Sequence, residues 1–184
     1  MPRQTTQERN ISILFGAGYA PVWLRTCYLS QLEADYQGLV ERAELGRESI
    51  APKFVLDDRA LYDFGLEWEK VLLRLPGLSD CEPEPLYEDG EHEEPDGGNE
   101  HFSGGNEEVE QASRRVQNLI FVADEEAVRK GLVKIKWLDE FGNAVWTNWL
   151  DPDSMMPLRG GLLRGYSMEE VVEGMEDPRG TIVT

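Results

Sequence analysis

The chain has 184 residues, of which 36 are acidic and 18 basic, for a net charge of −18. That balance excludes a surface built to hold phosphate backbones, where affinity comes from lysine and arginine. It favours basic partners such as histones, basic nucleic-acid-binding proteins or arginine-rich tails. Apolar residues at 40% and charged residues at 29% fit a soluble globular chain of one domain, or two small ones. No window approaches the ~18 apolar residues of a membrane span, and the start MPRQTTQERN lacks a signal-peptide core. An intracellular protein, cytoplasmic or nuclear, with no membrane contact is expected. The two cysteines, Cys27 and Cys81, have neither CxxC nor metal-ligand spacing, which suits free thiols in a reducing compartment.

The first predicted elements lie between residues 10 and 29. Ile11, Ile13 and Phe15 alternate with Ser12 and Leu14 as in a short strand. Gly16–Gly18 would turn the chain, and YAPVWLRTCYL would return as a second strand. Ser30 and Glu33 have the spacing of a capping box, opening a helix with Leu32, Tyr36, Leu39, Val40 and Ala43 on one face and Gly46 as its stop. A second helix is expected over 58–75, capped by Asp57. Its apolar stripe is Leu61, Phe64, Trp68, Val71, Leu72 and Leu75, and Pro76-Gly77 ends it.

The acid is concentrated beyond this helix. No lysine or arginine occurs between Arg74 and Arg114, and residues 80–110 carry 13 carboxylates; elsewhere 23 acids face 18 bases. Residues 79–106 combine low hydrophobicity, three prolines and two Gly-Gly pairs. That composition buries too little apolar surface to offset ordering entropy, so a disordered insertion is expected. Its carboxylates Glu82, Glu84, Glu88, Asp89, Glu91, Glu93, Glu94 and Asp96 form the candidate electrostatic surface.

A short helix is expected over 107–117, then a buried strand at Leu119–Val122. Asp124 would open a one- or two-turn helix that Gly131 closes. LVKIKWL is the clearest strand, with Val133, Ile135 and Trp137 on one face and Lys134 and Lys136 on the other. DEFGN turns the chain and AVWTNWL pairs back. Asp151-Pro152-Asp153-Ser154 breaks that strand, Arg159–Gly161 reads as a loop, and Leu162–Tyr166 as a further strand. Ser167–Glu170 caps a last helix to Met175; the tail is unassigned. The expected class is α+β. A small antiparallel sheet, or sheets, would pack with two to four helices and be interrupted by the acidic insertion. Units at 1–78 and 107–184 would flank residues 79–106 and pack together as one domain.

Catalytic signals are sparse. Both histidines, His92 and His101, fall in the acidic stretch, and general base or triad chemistry needs one held rigidly. GAG at Gly16–Gly18 lacks the continuation of a dinucleotide or P-loop motif. Asp57-Asp58 reads as a helix cap, and no calcium-loop pattern is present. No catalytic residue, metal site or cofactor is expected.

The most specific constellation is KIKWLDEFGNAVWTNWLDP. A strand ending in Trp137 meets a turn containing Asp139, Phe141, Gly142 and Asn143, and the return strand carries Trp146, Trp149 and Leu150. Over these 20 or so residues the chain resembles the second hairpin of a Tudor-like, SH3-type barrel, with Glu140 as an extra turn residue. The resemblance implies an aromatic cage for methylated lysine or arginine, built from Trp137, Phe141 and Trp146 or Trp149, with Asp139 adding charge selectivity. In the simpler reading Trp137 joins the core with Val133 and Ile135, and at least one of Trp146 and Trp149 is exposed.

The partner-binding candidates are therefore Trp137, Asp139, Phe141, Asn143, Trp146 and Trp149. The expected function is a non-enzymatic binding or adaptor protein that recruits a basic protein or peptide, for example in chromatin, without binding nucleic acid directly. Three alternatives stand beside it. One is an acidic inhibitor that mimics nucleic acid. Another is a metal- or nucleotide-dependent enzyme in which Asp57, Asp58, Asp63 and Asp139 converge. The third is a structural subunit docking through Trp68 or Trp146.

Overall fold

The computed structural model describes residues 3–15, 22–45, 50–78, 107–113, 115–116, 118–164, 167–175 and 181–182. The acidic residues 79–106, the Gly16–Gly18 turn and Gly46 lie outside the described residues, and so do the expectations placed on them.

The first element corrects the strand expected at Ile11–Phe15: it is a helix, α1 (Thr6–Phe15). Its start is a capping box. The Glu8 N–H donates to Thr5 Oγ1 at 3.1 Å, and the Glu8 carboxylate accepts the Thr5 N–H at 2.6 Å. Strand β1 (Val22–Arg25) follows, wholly buried. The capping box expected at Ser30 does not form. The chain enters α2 (Glu33–Arg42) through a 3₁₀ turn at Ser30–Leu32, the Glu33 N–H bonds the Ser30 carbonyl, and the Glu33 carboxylate goes to Arg25. Glu44, at φ 49°, ends the helix in a Schellman arrangement, with the Leu45 N–H on the Val40 carbonyl and the Glu44 N–H on Glu41.

Strand β2 (Val55–Leu56) comes next. The long helix expected over 58–75 is a single turn, α3 (Arg59–Tyr62), capped by Asp58 rather than Asp57, followed by 3₁₀ turns at Trp68–Leu73 and Pro76–Leu78. Gly65, at φ 60°, breaks it. Thr26 at the end of β1 clamps that glycine from both sides: its carbonyl accepts the Gly65 N–H at 3.0 Å, and its hydroxyl donates to the Gly65 carbonyl at 2.7 Å. Of the expected stripe, Trp68, Val71 and Leu75 are nonetheless buried, and Leu61, Phe64 and Leu72 pack partly buried against the same core.

Beyond the acidic stretch the elements are α4 (Glu107–Ser113), β3 (Asn118–Ala123), α5 (Glu125–Lys130), β4 (Val133–Leu138) and β5 (Ala144–Leu150). Asp124 caps α5 through the Ala127 N–H, and Gly131 closes it at φ 68°. The loop expected at Arg159–Gly161 and the start of the strand expected at Leu162–Tyr166 are instead the end of α6 (Met155–Leu163), and residues 165–166 lie outside the described residues. Met155, Leu158 and Leu162 recur at helical spacing and are buried, which overrides the two glycines between them. Helix α7 (Met168–Met175) starts at a Ser167–Glu170 capping box, and the tail adds β6 (Thr181–Ile182).

The fold is α+β, around one six-stranded mixed sheet in the order β2-β1-β3-β4-β5-β6. β1 runs parallel to both β2 and β3, β4 is antiparallel to β3 and β5, and β6 is parallel to β5. Strands from either side of the acidic stretch are thus hydrogen-bonded neighbours. One face carries Trp23, Phe121, Ile135 and Trp137 beneath residues of α2, α4, α6 and α7. The other carries Leu24, Leu56, Ile120 and Val122 beneath Ile11 of α1 and the 3₁₀ turns. Fully buried Glu8 fixes α1 to that layer, pairing with Arg74 and accepting the Tyr62 hydroxyl at 3.0 Å.

Candidate functional site

The β4–β5 hairpin is organised by one carboxylate. Asp139 is buried and, among the described residues, accepts four hydrogen bonds: from the Phe141 N–H (3.0 Å), the Asn143 N–H (2.8 Å), the Asn143 side-chain amide (3.2 Å) and Arg115 (2.9 Å). Burial pushes its carboxyl up, but the bonds from Asn143, Phe141 and Arg115 outweigh that and hold it below the usual carboxylate range. Main-chain bonds between Asp139 and Asn143, and from the Gly142 N–H to the Asp139 carbonyl, close the turn, with Gly142 at φ 78°.

The turn holds Phe141 outward at 70% exposure. Trp137 is the opposite case: it is 1% exposed, and its indole donates to buried Asn148 at 2.9 Å. Trp146 stands across from Trp137 in the ladder, beside a bulge at Leu138, and is half-buried against the core. Trp149 is half-buried too, so neither return-strand tryptophan is exposed, against expectation; Lys130 sits 4.0 Å and Lys134 5.1 Å from the Trp149 ring centre, and they cover it. Of the candidate aromatic rings, only Phe141 is exposed.

A second constellation could not be read from spacing. Arg25, at the end of β1, has a side chain only 6% exposed and lies between the rings of Tyr36 (3.8 Å) and Tyr28 (4.4 Å). Its guanidinium donates to Glu33 at 2.5 Å, to Asp57 at 3.4 Å and to the Cys27 carbonyl at 2.8 Å. Burial lowers its affinity for a proton, but the Glu33 and Asp57 carboxylates more than restore it, so it stays charged. Asp57 also accepts the Tyr36 hydroxyl at 2.9 Å, and Trp23 donates to that same oxygen. Burial and the Asp57 charge push the Tyr36 phenol well above its ordinary value. Beside this network lies an open cleft of about 280 Å³, lined by Tyr36, Gln37, Val40, Leu45, Pro52, Val55 and Asp57.

The chain matches no family model, and no curated protein or solved structure is detectably similar to it. Its chemistry must therefore be read from its own residues.

The carboxylates weighed as a catalytic group are not brought together. Asp57 follows β2, which runs parallel to β3, whereas Asp139 follows the antiparallel β4, so the two lie at opposite ends of the sheet. Asp58 caps α3 and Asp63 pairs with Arg59. Among the described residues no three His, Cys, Asp or Glu side chains form a group that could hold a metal ion, and no helix is long and apolar enough to cross a membrane. The candidate electrostatic residues Glu82, Glu84, Glu88, Asp89, Glu91, Glu93, Glu94 and Asp96 lie outside the described residues.

Proposed function

We propose that this protein is a non-catalytic binding protein for a basic protein or peptide. The observation that carries the reading is Phe141. A large aromatic ring is held in solvent by a turn whose Phe141 and Asn143 N–H groups and Asn143 side-chain amide are all tied to one buried carboxylate. Rigid, exposed aromatics are the residues from which interface anchors are made, because ordering them on binding costs little further entropy. The net charge of −18, drawn largely from residues 80–110, supplies long-range attraction for a cationic partner, an effect that weakens with salt. The Tudor-like pattern of the hairpin supports a cationic ligand, with Phe141 as the contact surface; Trp137, at 1% exposure, is part of the core and not of that surface.

The test is capture of basic proteins at low and high salt. The full chain is compared with Phe141→Ser, Trp146→Ala, and a chain whose residues 80–106 are replaced by a glycine-serine linker of equal length. Loss of capture with Phe141→Ser, and loss of the salt-sensitive component with the linker chain, are expected. Unchanged partners in all variants would remove the proposal.

A further inference from the structure

The cleft beside the Arg25 network has a composition the hairpin does not. Val40 and Leu45 of the α2 end, Pro52, Val55 and the Tyr36 ring supply apolar wall, while Asp57 and Gln37 supply the polar groups. At about 280 Å³ it falls just below the ~300–1,000 Å³ of sites that enclose a small-molecule ligand, and it is open to solvent. Its size suits one protruding side chain.

The charge at the wall is set by an imbalance. One guanidinium serves two carboxylates, and it is closer to Glu33 (2.5 Å) than to Asp57 (3.4 Å). Glu33 is further satisfied by the Gln37 amide at 2.9 Å. Asp57 has the Tyr36 hydroxyl on one oxygen, a long contact to Arg25 on the other and the Tyr28 hydroxyl nearby, but no cation as close as the one on Glu33, and its side chain is 30% exposed at the cleft. The site therefore carries a net negative charge, with the less compensated carboxylate at its wall. An anion would face that carboxylate, and a neutral apolar group would leave its remaining lone pairs dry. A lysine satisfies both demands, laying its methylene stem along Val40, Leu45, Pro52 and Val55 and placing its ammonium on Asp57. An arginine fits less well, because the fork of a guanidinium needs both carboxylate oxygens and Tyr36 already holds Oδ2.

From this arrangement we infer that the cleft between α2 and β2 is a binding site for a lysine side chain of the partner, with Asp57 as its counter-ion. The inference rests on the proposal that the partner is basic. It adds a second contact point, on the far side of the sheet order from the hairpin.

The experiment is an amide and indole NMR titration of the full chain. The probes are Nα-acetyl-lysine methylamide, its Nε-acetylated neutral form, the arginine equivalent, and a lysine-rich decapeptide. Trp23 reports the site, because its indole bonds the Tyr36 hydroxyl; the Trp137 indole, bonded to Asn148, is the internal control. Saturable shifts at Trp23, Gln37, Val40 and Val55 are expected with the lysine probe, weaker ones with arginine, and none with the neutral form. Gln37→Lys changes an exposed helix residue and so leaves the fold intact, yet sets a competing cation at the rim. It should weaken lysine binding about tenfold, as should Asp57→Asn. Equal shifts with the neutral probe, or undiminished binding by Gln37→Lys, would overturn the lysine site. Decapeptide shifts confined to the Phe141 turn would overturn it while leaving the proposed function standing. No saturable shift with any basic probe would remove both.

Discussion

Replacing Asp139 with alanine removes the acceptor shared by the Phe141 and Asn143 main-chain N–H groups, the Asn143 amide and Arg115. Hydrogen bonds to a charged group contribute about 1.5–3 kcal/mol each. Here the donor residues are exposed, so water takes over what the carboxylate releases, and each loss falls to about 0.5–1 kcal/mol. The total is about 2–4 kcal/mol, with the two main-chain bonds across the turn remaining. For a urea slope of about 2 kcal/mol per M, the unfolding midpoint falls by about 1–2 M, read by tryptophan fluorescence at pH 7. Asp139→Asn, which keeps one acceptor oxygen, should lose about half as much. The pH dependence is a second check. A carboxyl held below its ordinary value stabilises the fold above its unfolded value of about 3.9, and that stabilisation is lost as pH falls through the lower folded value. The gap between wild type and variant should accordingly narrow below about pH 4. A midpoint shift under about 0.3 M at pH 7 would refute the claim that this carboxylate holds the turn.

Glu8→Gln leaves Arg74 facing a neutral partner in a buried layer, and should cost about 3 kcal/mol, or roughly 6–12 °C in a thermal scan. The Glu8 carboxyl is raised by burial but lowered further by Arg74, Thr5 and Tyr62, so its stabilisation too disappears in acid, and the variant's urea midpoint should vary less between pH 5 and pH 2. Gly131→Ala meets no atom within 4 Å, so its cost, about 1 kcal/mol by chemical denaturation, comes only from the φ of 68°. Phe141→Ser should leave the unfolding free energy within about 0.5 kcal/mol while removing partner capture; a large loss of stability would mean the ring serves packing instead.

Apart from α6, where Gly160 and Gly161 read as a loop, the C-terminal half was readable because its signals are local. The β4 alternation, the Asp124 and Gly131 caps and the Ser167–Glu170 box each act within a few residues, and all appear where the spacing puts them. The N-terminal half misleads where a distant partner intervenes. Ser30 and Glu33 have the spacing of a capping box, but Glu33 is drawn off to Arg25. The stripe over 58–75 reads as one helix until Thr26, just beyond β1, takes hold of Gly65. At Ile11–Phe15 the sign was present and outcompeted: a short apolar run suits strand and helix alike, and the Thr5–Glu8 box decides between them. The hairpin turn was legible down to Gly142. The Arg25 cluster was not, since its members come from β1, α2 and the end of β2, and meet only when the sheet forms.

Residues Leu24 and Val122 are ladder partners although about a hundred positions separate them, and the whole acidic stretch lies within that span. The entropy of closing such a span rises only with the logarithm of its length, so that doubling it adds about 0.6 kcal/mol. Changing the number of acidic residues between Leu78 and Glu107 is therefore expected to alter the molecule's negative charge at a cost of this order, which urea unfolding of length variants would read. The strength of its electrostatic reach is in this way uncoupled from the architecture that presents it.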